Sequence, residues 1–223
     1  MKDMSLVIVG GVGTTEQYYK NVKEEMLISY KRVYIKCVRG DSLEEFTNDL
    51  KSFLNEIPNN FILLGHSFGG YVSIGLLGNG YINSKLKGFV MCNSSYTFSH
   101  IDLKQNYHES TEDYVKKYPF MKELSQYVDK KVQGQQMMTV IKNPLLEQFK
   151  NISSSIPTLF IGSGEDGYIP RDMFLDMVTL FGEYRPRRTF DWTIVDECKH
   201  LGLITNIKHY REMMDFNLSI LLH

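Results

Sequence analysis

Phe61-Ile-Leu-Leu-Gly65-His-Ser67-Phe-Gly69-Gly70-Tyr71-Val-Ser-Ile-Gly-Leu-Leu77 is the stretch that decides the fold. Its first four residues form an apolar run of strand length that stops at Gly65, and residues 71–77 predict a buried helix. Between them stands Gly-x-Ser-x-Gly. Strand, sharp turn and helix together are the context in which this motif makes a nucleophile elbow. A serine at the tip of so tight a turn is strained, and small neighbours relieve the crowding. The turn also aims Ser67 at the N-terminus of the following helix, whose positive dipole end favours a developing oxyanion. The plainer alternative, a glycine-rich turn with a surface serine, explains the motif but not both of its flanks.

Upstream, Leu6-Val-Ile-Val9 predicts a buried strand running into Gly10-Gly-Val-Gly-Thr-Thr15. A helix with Tyr19, Val22, Met26 and Tyr30 at helical spacing follows. A glycine loop between strand and helix invites a dinucleotide site, but Glu16 stands where G-x-G-x-x-G needs its third glycine, and its carboxylate would oppose a pyrophosphate. No GK[ST] follows either. Residues 32–38 predict a second strand, and Asp41 or Ser42 caps a helix carrying Leu43, Phe46, Leu50, Phe53 and Leu54 on one face. Downstream of the elbow, Asn79-Gly80 ends its helix and residues 86–92 form another strand. The alternation of strand and helix predicts an α/β fold, a doubly wound, mostly parallel sheet of about six strands.

That rhythm breaks over residues 94–155, which hold no strand-like run. Ser110-Thr-Glu-Asp113 has the form of a helix start, and Asn143-Pro144 that of a cap followed by proline at the first helical position. Tyr114, Tyr118, Phe120, Met121, Leu124, Tyr127, Val128, Met137, Met138, Ile141, Leu145 and Phe149 are too many apolar residues for a solvated loop. We expect a helical cap insertion whose Met and aromatic side chains face a pocket, with 1–93 and 156–223 as the core. The bare alternative is that these helices only cover the sheet. Residues 157–162 then predict a strand, Met173, Phe174, Met177 and Phe181 a helix, residues 189–195 the last strand and residues 206–222 the last helix.

Composition bounds the function. At 223 residues, 43% hydrophobic and 23% charged, the chain has the make-up of one soluble α/β domain with a modest insertion. A formal net charge of −1 gives no reason to expect nucleic acid or an anionic membrane surface as partner. Cys37, Cys92 and Cys198 are scattered, with neither CxxC nor metal-ligand spacing, as free thiols of a reducing compartment would be. No apolar run approaches the roughly 18 residues of a membrane span. The N-terminal apolar patch is too short for a signal-peptide core, so a cytoplasmic location is expected.

A serine is a weak nucleophile at neutral pH and needs a base in reach and a group to orient that base. His66 lies inside the elbow with its side chain directed away from the tip; His100 and His108 begin the cap; His209 and His223 belong to the last helix and its end. His200 differs, because it follows the last strand in Asp196-Glu-Cys-Lys-His200-Leu-Gly202. Ligands of open α/β sheets bind at the carboxyl ends of strands, where Ser67 and His200 both fall. Gly162-Ser-Gly-Glu-Asp166 ends the preceding strand, with Asp166 the orienting acid and Glu165 the reserve. The Phe68 and Val12 amides are the expected oxyanion donors.

On Gly65-His-Ser67-Phe-Gly69-Gly70, Gly162 through Asp166 with Tyr-Ile-Pro170, and His200 before Leu-Gly202, the chain resembles the α/β-hydrolase superfamily over essentially its whole length. The insertion falls at the superfamily's usual cap position, between its sixth and seventh strands. In two places the pattern departs. Gly10-Gly11 replaces the usual His-Gly before the oxyanion residue, and the chain begins at the superfamily's third strand, without its N-terminal hairpin. The resemblance implies a serine hydrolase cleaving a carboxylic ester or acyl thioester of a small, largely apolar molecule through a Ser67 acyl-enzyme, with no metal or cofactor. An acyl carrier protein is a second conceivable partner. A biosynthetic thioesterase, a cyclase, a lyase using Ser67 and His200 as a base pair, or a ligand-binding protein with vestigial turnover remain alternatives, since fold does not fix function.

Overall fold

A computed structural model describes residues 1–100, 115–186 and 188–222. Six strands, β1 (Ser5–Val9), β2 (Arg32–Lys36), β3 (Phe61–His66), β4 (Leu86–Cys92), β5 (Thr158–Ser163) and β6 (Phe190–Val195), form one sheet in the order β2-β1-β3-β4-β5-β6. Every pairing is parallel. Side chains alternate between two cores, as the two-residue period of a strand requires. Val7, Val9, Leu63, Phe89, Met91 and Phe160 face one core; Leu6, Ile8, Ile62, Leu64, Val90 and Leu159 face the other. A sheet covered on both sides needs apolar residues at every position, which is why its central strands are continuous apolar runs.

The first core is closed by α2 (Leu43–Asn55), α3 (Phe68–Gly78), and two later helices, α6 (Leu146–Asn151) and α7 (Arg171–Glu183). The second is closed by a 3-10 turn (Glu16–Tyr19), α1 (Lys20–Met26), α8 (Gly202–Thr205) and α9 (Ile207–Leu221). Ser42 is the cap of α2: its Oγ accepts the Glu45 amide at 3.2 Å, while Glu45 Oε2 accepts the Asp41 amide at 2.7 Å. This reciprocal pair orders the helix start. Gly80, at φ +84, ends the elbow helix in the left-handed region.

Between β4 and β5 the described residues hold α4 (Met121–Ser125), α5 (Lys130–Lys142) and α6. The helix start expected at residues 110–113, with Tyr114 and His108, lies outside the described residues, as does His223. Asn143-Pro144 departs from expectation. Asn143 closes α5, its Nδ2 donating to the Thr139 carbonyl at 2.8 Å, and α6 begins only at Leu146. A residue before proline is pushed out of helical conformation, and Asn143 adopts φ −127, ψ 77. The chain then dips to bury Leu145, whose amide donates to the Tyr96 carbonyl. Phe149 reaches the first core against Phe160 and Phe181. Met121, Leu124 and Val140 are buried as well, whereas Phe120 and Met138 are exposed.

Candidate active site

The elbow is built by backbone crowding. Ser67 has φ 53 and ψ −121, a region costing a non-glycine residue about 1–3 kcal/mol. Neighbours hold it there. Its amide donates to the Cys92 carbonyl at 3.0 Å, and its carbonyl accepts the Gly70 amide at 3.0 Å and Ser94 Oγ at 2.6 Å. A Cβ on Gly65 would overlap Gly70, one on Gly69 the Val9 carbonyl and one on Gly70 the Ser94 side chain. At Gly65 and Gly69 these are close approaches of backbone to backbone, where only glycine fits.

Ser67, His200 and Asp166 come together from the ends of β3, β6 and β5. Ser67 Oγ lies 2.8 Å from His200 Nε2, and His200 Nδ1 lies 2.9 Å from Asp166 Oδ2 and 3.1 Å from Oδ1. With Nδ1–H donating to the carboxylate, Nε2 is free to accept from the serine hydroxyl. All three residues are buried. Burial by itself would raise the Asp166 carboxyl. The charge and hydrogen bond of His200, the Ile169 amide and Asn93 outweigh it and hold the group below its ordinary value. Asp166 Oδ1 also accepts the Tyr168 and Ile169 amides at 2.9 and 3.0 Å. Glu165, the reserve acid, is exposed and takes no part.

Behind the acid stands a buried polar cluster that the motif pattern did not signal. Asn93 Nδ2 donates to Asp166 Oδ2 at 3.1 Å and to Ser163 Oγ at 2.5 Å, and Ser163 Oγ pairs with the Tyr210 hydroxyl at 2.5 Å. One sequence signal was available: Asn93-Ser94-Ser95 is a polar run directly after an apolar strand, at a fourth strand end. Tyr168 was missed too. Its ring lies 4.8 Å from the His200 ring, and its carbonyl accepts His100 Nε2–H at 2.7 Å. Beside it opens a cavity of about 590 Å³ whose lining is mixed, apolar at Tyr96, Met173, Met177 and Leu180 and polar at Ser99 and Asp176.

The glycine loop after β1 faces the elbow: a Cβ on Gly11 would stand 3.7 Å from Ser67 Cβ. Nearly every amide in it is engaged. Gly10 N–H donates to the Lys36 carbonyl, Gly11 N–H to Tyr19 Oη at 2.7 Å, Gly13 N–H to Gln136 Oε1 at 2.7 Å and Thr14 N–H to the Gly11 carbonyl. Among the described residues the amides of Val12 and Phe68, the two expected oxyanion donors, have no hydrogen-bond acceptor. Thr14 Oγ1–H also donates to the Gly11 carbonyl, at 2.8 Å. That carbonyl and the Val12 N–H belong to one planar trans peptide and point in opposite directions. Thr14 therefore turns the Val12 N–H the other way.

His66 is wholly buried, with its Nδ1 accepting the Tyr19 hydroxyl at 2.8 Å and its ring 6.0 Å from that of His200. The buried Tyr19 O–H finds its acceptor in His66 Nδ1, and the His66 proton is assigned on that ground to Nε2. Nε2 faces the His200 backbone but lacks good hydrogen-bond geometry. Burial, then repulsion from His200, lowers the His66 pKa to about 3. His209 is exposed on α9 and remote from this constellation. All three cysteines are free, no group of His, Cys, Asp and Glu suited to a metal occurs among the described residues, and no described helix is long and apolar enough to cross a membrane.

No protein-family model matches the chain, and no curated protein matches it in sequence. Solved structures do. A lipase-esterase related protein from Clostridium acetobutylicum superposes with a TM-score of 0.75 at 15% identity, covering 96% of this chain and 94% of its own. A bromoperoxidase from Bacillus anthracis gives 0.76 at 14% identity over 97% and 92%. An enol-lactonase from Burkholderia xenovorans gives 0.73 at 12% over 98% and 92%. At such identities the likeness concerns the fold.

Proposed function

We propose that this chain, which has the α/β-hydrolase fold, is a serine hydrolase that cleaves a carboxylic ester or acyl thioester. One observation carries the reading. A strained, buried serine lies 2.8 Å from an imidazole whose other nitrogen is 2.9 Å from a carboxylate. Ser67 Oγ attacks the substrate carbonyl as its proton passes to His200 Nε2. Asp166 holds the imidazole tautomer and stabilises the imidazolium. The oxyanion of the tetrahedral intermediate takes the Val12 and Phe68 N–H groups, at the N-terminus of α3. Collapse expels the alcohol or thiol, which leaves with the proton from Nε2. Water then repeats the sequence on the acyl-enzyme, releasing the acid and restoring Ser67.

In this reading residues 94–155 are the cap over the core formed by 1–93 and 156–223. The Met173, Met177 and Leu180 side chains of the cavity beside Tyr168 would take an apolar group of a small substrate, with Ser99 and Asp176 at its polar side. Intact-protein mass after treatment with a fluorophosphonate tests the reading. The expected result is a single adduct on wild type, none on Ser67→Ala and a reaction slowed by about 10³-fold or more in His200→Ala. A folded wild type that takes no adduct would exclude an activated serine.

A further inference from the structure

Resting on that reading, we propose that Gln136, on the cap helix α5, is a positioning residue that sets the Val12 amide, so that seating the cap and forming the oxyanion site are one event. Gln136 is 2% exposed on a helix whose Gly134, Gln135 and Met138 are exposed. Both ends of its amide are used across the chain. Oε1 accepts the Gly13 N–H at 2.7 Å, and Nε2 donates to the Val38 carbonyl at 3.1 Å. A buried amide in that position leaves both backbone partners unpaired if it is removed, at a cost well above that of an exposed hydrogen bond.

Other contacts join the loop to the same segment. The Asp129 N–H donates to the Gly13 carbonyl at 2.8 Å, the Thr15 N–H donates to the Tyr127 carbonyl at 3.1 Å, and Thr14 forms an antiparallel bridge with Val128. Gly13 has φ +66, and a Cβ there would stand 2.6 Å from Gln133 Cβ and 2.7 Å from the Asp129 carbonyl. The loop is thus pressed against the start of α5 with no room for a side chain. Gly13 is clamped to the cap at both its N–H and its carbonyl. Thr14, which orients the Gly11–Val12 peptide, is clamped to it through Val128. Lifting residues 127–136 removes the partners that hold Gly13, Thr14 and Thr15, and with them the anchor of the Thr14 side chain that orients the Val12 N–H, while the elbow keeps its contacts to Val9, Cys92 and Ser94.

The test compares wild type with Gln136→Met, which keeps the bulk and loses both hydrogen bonds, and Gln136→Glu, which keeps an acceptor for Gly13. Steady-state hydrolysis of p-nitrophenyl acyl esters and hydrogen exchange of the peptide covering residues 10–15 are measured on each. For Gln136→Met we expect kcat lowered by roughly 10- to 100-fold with KM within about three-fold, the pattern of a misplaced transition-state donor. Exchange should rise in residues 10–15 and stay unchanged in α3, and Gln136→Glu should recover part of kcat. A Gln136→Met kcat within about two-fold of wild type overturns the proposal. So does a loss accompanied by faster exchange throughout the core, which marks a general packing defect. If wild type neither hydrolyses esters nor takes a fluorophosphonate, the hydrolase reading falls; exchange alone then decides the clamp, and unchanged exchange at 10–15 in Gln136→Met overturns it.

Discussion

Two glycine-rich turns face each other across the site, one after β3 and one after β1, and they are held in different ways. The elbow is determined largely by tight steric contacts: Gly65 and Gly70 touch each other, Gly69 touches β1, and the Ser67 carbonyl is tied to Gly70 within the turn and to Ser94 after β4. The loop at residues 10–14 is shaped from outside, by Lys36, by Tyr19 and by Gln136, the last 123 residues away along the chain. A turn fixed by local sterics announces itself as a motif. A turn fixed by distant partners leaves only an unspecific run of glycines.

The sharpest way to break the elbow is Gly69→Ala. Its methyl would overlap the Val9 carbonyl, a backbone atom of the central sheet that no rotamer change can move. Destabilisation of about 3 kcal/mol or more is expected, read as a lower midpoint in chemical denaturation, and an unchanged midpoint would mean that β1 and α3 are not packed as described.

His66 belongs to the elbow but serves the loop, and acid should expose that link. Its pKa is lowered to about 3 in the folded protein from an ordinary 6.5, so between these values the unfolded chain binds the extra proton. Stability is therefore present in full above about pH 6.5 and is lost as pH falls toward about 3. The slope attributable to this one residue is at most about 1.4 kcal/mol per pH unit. The groups facing the ring are Tyr19, His200 and, farther off, Asp166. His66→Gln retains an acceptor for Tyr19 and does not titrate, so its denaturation midpoint should fall less steeply over this range. Parallel curves for the two proteins would show that His66 is protonated in the native state.

The smallest of these effects belongs to the loop alone. Tyr19→Phe keeps the ring in the second core and removes only the oxygen between the Gly11 amide and His66. We expect kcat for ester hydrolysis to fall about ten-fold, with KM and the fluorophosphonate site unchanged. A raised KM with kcat unchanged would locate the effect in substrate binding instead.

Much of the sheet was legible because its central strands are short apolar runs closed by a glycine or a polar run, and Ser67, Asp166 and His200 stood out because each follows a strand. Asn143-Pro144 announced a helix that in fact begins two residues later, at Leu146, because Asn143 is taken up in closing α5. Tyr210 and Gln136 carry no motif, and Asn93 and Ser163 show only as polar residues at strand ends. Each is an ordinary polar residue until the fold brings a carboxylate, a hydroxyl or an amide beside it.

Local patterning thus determined the alternation of strand and helix, the position of the strained serine and the strand ends that supply its partners, since each depends on residues a few positions apart. Only the tertiary structure decided which amide of the glycine loop is left free. That choice is made by the acceptors that Lys36, Tyr19 and Gln136 offer to the other amides, groups from three separate elements that meet only when the sheet and the segment after β4 have closed around the loop.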